Sequence, residues 1–250
     1  MTFFQEVILI ILFFITSIIG VVTGSNSLIT VPTMFQFGID PKVAIATNMF
    51  GLTFMSIGAS IPFLRKGAID YRRTWPLIIL TLISSALGAI LAVVISSASL
   101  KLTVSAAMIA VSLFILFKRD IGLLPTKTIS TKAAIITYTL AFLLGVYGGL
   151  YSGGYVTMLT TVLVVFFGMT FSEAVGSTKV INIFSSLVAT AIFMWQGLVD
   201  YTLGIILSVT MFVGAFAGAH YAIRMNDVWL RRIFIAAVIL LAIKTLFDFF

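Results

Sequence analysis

Gly24, Ser25, Asn26 and Ser27 interrupt an otherwise apolar stretch, and Gly153, Gly154 and Tyr155 interrupt a second one about 130 positions later. Hydroxyl and amide groups beside glycines offer hydrogen bonds and close backbone approach to a small ligand. A helix restarting at Leu28 or just before would aim its free N-terminal N–H groups into the break, where they attract an anion. Thr47-Asn48 and the matching Ser177-Thr178 open helices that follow a turn, so each pair can cap its helix or donate to a ligand. Lys179 comes next in an apolar run, with Asn182 three residues on and on the same face. An ionisable residue within such a run is a functional candidate; the alternative is a side chain reaching to the nearby polar surface.

Other residues are open to structural readings. Tyr147, Tyr151 and Ser152 lie beside the second break, where the tyrosines can line a cavity or sit at the membrane interface. Glu173 is six residues from Lys179, off its face, and reads as a first-turn acid at a helix N-terminus. Asp70 and Asp200 read as N-caps, and Gly88 and Gly218 as points of close helix contact. The single His220 reads as structural. No catalytic grouping emerges: H-E-x-x-H, G-x-S-x-G and the P-loop are all missing. There are no cysteines, so thiol chemistry and cysteine metal sites are excluded. The reading is of a non-enzyme with no cofactor and no metal.

The elements that must position these residues are membrane helices. The 250 residues are 61% hydrophobic and 9% charged, far below the quarter charged that soluble domains carry. Apolar runs fall at 3–22, 27–37, 43–64, 74–96, 100–117, 132–150, 155–168, 172–195, 202–223 and 229–249. Most are long enough to span a bilayer; 27–37 and 155–168 are short or broken. A net charge of +7 would suggest nucleic acid in a soluble chain. Here the basic residues cluster between apolar runs, as cytoplasmic loops do, so nucleic acid is not an expected partner.

A constant offset of 130 relates the two parts of the chain. It pairs Gly24 with Gly154, Thr30 with Thr160, Ser56 with Ser186, and G-x-x-D-Y at 67–71 with the same pattern at 197–201. The expected organisation is a first repeat over 1–121, a cytoplasmic linker over 122–131 and a second repeat over 132–250. Basic clusters at 65–73, 118–132 and 224–232 share one side only if each half crosses five times. The fold class expected is therefore an all-α polytopic membrane protein of two inverted repeats, about five segments each, with both termini outside. Interrupted segments at matching positions of such repeats point to a transporter's binding site.

The pattern from the first break onward resembles the TauE/SafE family of sulfite and organosulfonate exporters. It is carried by Gly20 and Gly24, Val31-Pro32, Gly38-Ile39-Asp40-Pro41 and Ala44-Ile45-Ala46-Thr47, then by Gly148, Gly149, Gly153, Gly154 and Ala174-Val175-Gly176-Ser177. The chain departs from it where Ser25-Asn26-Ser27 replaces a glycine run, and where Thr161-Val162 stands opposite Val31-Pro32. The resemblance implies movement of a small sulfur-containing anion such as sulfite or an organosulfonate across the cytoplasmic membrane. The expected substrate shell is Gly24, Ser25, Asn26, Ser27, Thr47, Asn48, Gly153, Gly154, Tyr155, Ser177, Thr178, Lys179 and Asn182. A passive anion channel is the alternative. Lipid is a partner by necessity; a coupling ion and a homo-oligomer are both compatible with the reading.

Overall fold

The computed structural model describes residues 3–24, 26–100, 102–103, 130–226, 228–229 and 232. Ser25, nearly all of the 122–131 linker, and most of the apolar runs at 100–117 and 229–249 lie outside the described residues. Every described element is a helix. In hydrocarbon each backbone N–H and C=O must be paired internally, and a continuous apolar helix does this within its own segment.

The helices are α1 (Phe3–Thr23), α2 (Ser27–Gln36), α3 (Pro41–Arg65), α4 (Tyr71–Val94), α5 (Thr131–Leu150), α6 (Tyr155–Val165), α7 (Phe171–Trp195) and α8 (Tyr201–Ala222). Six of them are long and apolar enough to cross a membrane. The exceptions are α2, of 10 residues, and α6, of 11. At 1.5 Å per residue these are about 15 Å long, half the thickness of the hydrocarbon core.

Local sequence explains where the helices start and stop. The Asp70 carboxylate accepts from the Arg73 N–H at 3.1 Å, and Asp200 accepts from Leu203 at 3.0 Å, so both act as the expected N-caps. Thr170 and Glu173 form a reciprocal capping box at the start of α7. Gly67 and Gly197, both left-handed (φ +67° and +65°), end α3 and α7, and the next N–H reaches back to Phe63 and Phe193 at 3.0 Å.

Helix α3 is the most deeply embedded span. It packs along α7 and α8, while α4 packs along α5 and α7, and α1 along α8. Small residues permit these approaches: Gly218 meets the backbone of Ile18, and Gly88 that of Val146. On the outer side of α4, Ile79, Ile83, Leu87 and Ile90 are exposed, an apolar stripe suited to lipid.

Contacts at the helix ends fix relative direction. Lys66 Nζ, just past α3, donates to Ile223 O, just past α8, at 2.5 Å. Arg73 in the first turn of α4 donates to Phe167 O, ahead of α7, at 3.1 Å. Thr47, near the start of α3, accepts from the Asp200 N–H at the start of α8 at 3.1 Å. The α3 C-terminus, α4 N-terminus, α7 N-terminus and α8 C-terminus therefore share one end of the bundle. It carries Arg65, Lys66, Arg72, Arg73 and Arg224.

Candidate functional site

The two breaks meet inside the bundle. Gly24 (φ +71°) and Gly154 (φ +78°) occupy the left-handed region that glycine tolerates without strain, which lets the chain turn between α1 and α2 and between α5 and α6. A Cβ on Gly24 would sit 2.7 Å from the Thr157 nitrogen, so the first break lies directly against the start of α6. Thr157 Oγ1 donates to Thr23 O at 2.5 Å, Ser27 Oγ and Ser152 Oγ are 2.7 Å apart, and the Tyr151 hydroxyl donates to Ser27 O at 2.9 Å. The N-terminal turns of α2 and α6 are thus brought to the same place.

Lys179 projects from α7 into that junction. It is 3% exposed, and its Nζ donates to Gly20 O in the last turn of α1 at 2.9 Å. Its side chain does not reach to the polar surface, which removes the surface-seeking alternative. An ammonium suits this acceptor, because the C-terminal end of a helix carries partial negative charge. It has three N–H donors, and the carbonyl takes one. Among the described residues no carboxylate pairs with it, and it is the one charged side chain in the buried set.

A small pocket opens beside Lys179, lined by Gly20, Gly24, Asn26, Ser27, Leu52, Met55, Ser56, Ser152, Val156 and Asn182 as well as the lysine. The space open to the centre of a water molecule is about 20 Å³. That is room for a water molecule and little more. Asn182, one turn beyond Lys179, donates from Nδ2 to Ser56 Oγ at 2.7 Å and so bridges α7 to α3.

The expected site residues divide into three groups. Gly24, Asn26, Ser27, Lys179 and Asn182 share the pocket. The Asn26 amide is turned mainly toward α1: Nδ2 donates to Ser17 Oγ at 3.0 Å, and Oδ1 accepts from Thr16 at 3.2 Å. It therefore braces the break.

The second group stands behind the pocket. Asn48 donates to Ser27 Oγ at 2.9 Å and accepts from Thr30 at 3.0 Å, tying α3 to α2. Thr178 Oγ1 lies 3.2 Å from Thr160 Oγ1, a corresponding link between α7 and α6 130 residues later. Gly153 leaves space for the Tyr151 ring, and its carbonyl accepts from the Tyr147 hydroxyl. Gly154 supplies the turn. Tyr155 is wholly buried, its ring against Gly148, and its hydroxyl has no hydrogen-bond partner among the described residues.

The third group lies away from the junction. Thr47 receives the Asp200 N–H, and Ser177 Oγ accepts from Thr74 Oγ1 at 2.9 Å, so each ties its helix to the start of a neighbouring span. Ser25 is outside the described residues. Three polar contributors were not in the expected shell, the Gly20 carbonyl, Ser56 and Ser152, nor were the apolar lining residues Leu52, Met55 and Val156. Ser152 was visible beside the second break, and Ser56 as a match to Ser186 across the 130-residue offset. The Gly20 carbonyl has no side-chain signal at all.

A helical bundle whose two half-length helices meet beside a buried lysine is a multi-pass membrane protein with an internal polar pocket. The chain belongs to the sulfite exporter TauE/SafE family, whose model matches residues 9–245. It is 27% identical over 235 residues to the probable membrane transporter protein ORF9 of Sinorhizobium sp., covering 94% of this chain and 90% of that one. It is 27% identical over 237 residues to a probable membrane transporter protein of Haemophilus influenzae, covering 94% and 92%. It is 23% identical over 247 residues to the probable membrane transporter protein YfcA of Escherichia coli, covering 95% and 89%. These relatives are named as transporters and not as enzymes. No solved structure matches.

Proposed function

We propose that this chain is a secondary transporter that moves a small anion, in the first place a sulfur oxyanion or organosulfonate, across the cytoplasmic membrane by alternating access. The observation that carries this reading is Lys179: a buried ammonium, unpaired with any described carboxylate, held at the point where both breaks meet. Intramembrane charges without a partner are costly, and they mark ion and substrate paths. The description of the family as sulfite exporters supports the sulfur-containing class, and the names of the relatives support transport.

Alternating access requires two halves that rock against each other, and we read the chain as two inverted repeats. Helices α3 and α7 occupy 41–65 and 171–195, equal spans at an offset of 130. Among the described residues the six left-handed glycines fall into three pairs at that offset: Gly24 with Gly154, Gly38 with Gly168, and Gly67 with Gly197. The end contacts give α3 and α7 opposite directions. The basic end of the bundle is then the cytoplasmic one.

A carrier is favoured over a passive channel by the size of the pocket. A pore needs a continuous lined path wide enough for the solute, whereas about 20 Å³ beside Lys179 is room for little more than water and must widen to admit an anion. Counterflow in proteoliposomes tests this. Labelled sulfite should enter faster when unlabelled sulfite is trapped inside; uptake indifferent to internal sulfite would contradict the carrier reading.

A further inference from the structure

The pocket's charge can be counted from the described residues. Each break contributes one helix C-terminus and one helix N-terminus: α1 and α2 at the first, α5 and α6 at the second. Their partial charges, roughly −0.5 and +0.5 of an elementary charge each, cancel within each break. The faces that α1, α2, α3 and α6 turn to the pocket carry Gly20, Ser27, Ser56 and Val156, and no lining residue besides Lys179 is ionisable. Tyr151, behind Ser27, is a neutral phenol donating to a carbonyl. With Lys179 protonated, the formal charge of the described lining is therefore that of one ammonium.

We infer that the site selects anions by charge, taking those with one negative charge and rejecting doubly charged ones of the same size. This rests on the anion-transport reading above and adds the charge class to it. A monoanion beside Lys179 forms a neutral pair whose remaining oxygens can turn to Ser27, Ser56 and Asn182. A dianion leaves one uncompensated negative charge in a water-poor interior, and an unpaired buried charge costs several kcal/mol. No second lysine or arginine is among the described lining residues to offset it. The preferred class is then hydrogen sulfite or an alkylsulfonate, and sulfate and thiosulfate are the excluded class.

The test is equilibrium binding to the purified full chain. Hydrogen sulfite, methanesulfonate, sulfate and thiosulfate are titrated separately, with chloride as control. Methanesulfonate and sulfate are close in size and shape and differ in charge. The monoanions should bind at least about a hundredfold more tightly than the dianions, the low end of what an unpaired buried charge costs. Binding of total sulfite should weaken more steeply than binding of methanesulfonate as pH rises through the second ionisation of sulfurous acid. Asn182→Lys adds a second positive charge and should narrow the gap for sulfate, with a cooperative melting transition showing that the variant folds. Sulfate binding as tightly as methanesulfonate would overturn the charge selection and leave the anion site standing. Binding of none of these anions would overturn both.

Discussion

Replacing Gly24 by alanine tests whether the two breaks pack against each other as described. Two penalties combine at this position. A residue with a Cβ held at φ +71° pays about 1–2 kcal/mol for the left-handed conformation. The new methyl would also lie 2.7 Å from the Thr157 nitrogen and 2.8 Å from Val156 Cγ1, and such overpacking costs about 1–3 kcal/mol. The total is about 2–5 kcal/mol. Gly67→Ala is the control, since Gly67 has nearly the same φ, +67°, and nothing within 4 Å of the new Cβ. It should lose only the first part. Equilibrium unfolding of both variants in mixed micelles measures the difference, which isolates the contact between the first break and the start of α6. Equal losses in the two variants would refute that contact.

Thr47→Val removes the acceptor of the Asp200 N–H and should destabilise by about 1–3 kcal/mol. Anion affinity of the folded fraction should stay unchanged, because Thr47 lies outside the pocket; titration against the melting curve separates the two effects. Ser27→Ala cuts the 2.7 Å link to Ser152 and leaves the Asn48 amide without that acceptor, with a loss of about 1–3 kcal/mol. The double change with Asn48→Leu should cost less than the sum of the single changes, and a double-mutant cycle reads the coupling.

Features set by short stretches of chain could be read from the sequence. The breaks show as glycine and small polar residues within apolar runs, and both Gly24 and Gly154 take the left-handed conformation there. Asp70 and Asp200 stand immediately ahead of apolar runs and cap them as expected. Glu173 is the first-turn acid, and Thr170 completes its capping box. What the sequence could not supply is the rotation of each helix about its axis. Both α3 and α7 have apolar residues all round, so no amphipathic stripe says which polar side chains face inward. Thr47 and Asn48 are adjacent and looked equivalent, yet Asn48 turns to Ser27 behind the pocket while Thr47 turns to α8. Lys179 could have pointed to the surface or to the interior, and its acceptor lies 159 residues away. Asn26 lines the pocket, but its amide is engaged by Thr16 and Ser17, which no local pattern marks.

The fold thus assembles one polar site from elements far apart in the chain. Helix α7 supplies the ammonium and an amide, α3 a hydroxyl, and the two breaks supply backbone freedom and the tight turns that bring α2 and α6 together. The space of about 20 Å³ is too small for an anion such as sulfite. Under the proposed alternating-access reading, separation of the two breaks along the Ser27–Ser152 and Thr157–Thr23 contacts would enlarge it.

The central claim is that Lys179 holds the anion, and the most direct test is the melting temperature of the wild type and of Lys179→Met over a range of sulfite concentration. A ligand that binds only the folded state stabilises by about 2.7 kcal/mol at a hundredfold excess over Kd. The account predicts a concentration-dependent rise of several degrees for the wild type and none for Lys179→Met, with both proteins folded. An equal rise in the two proteins would contradict it.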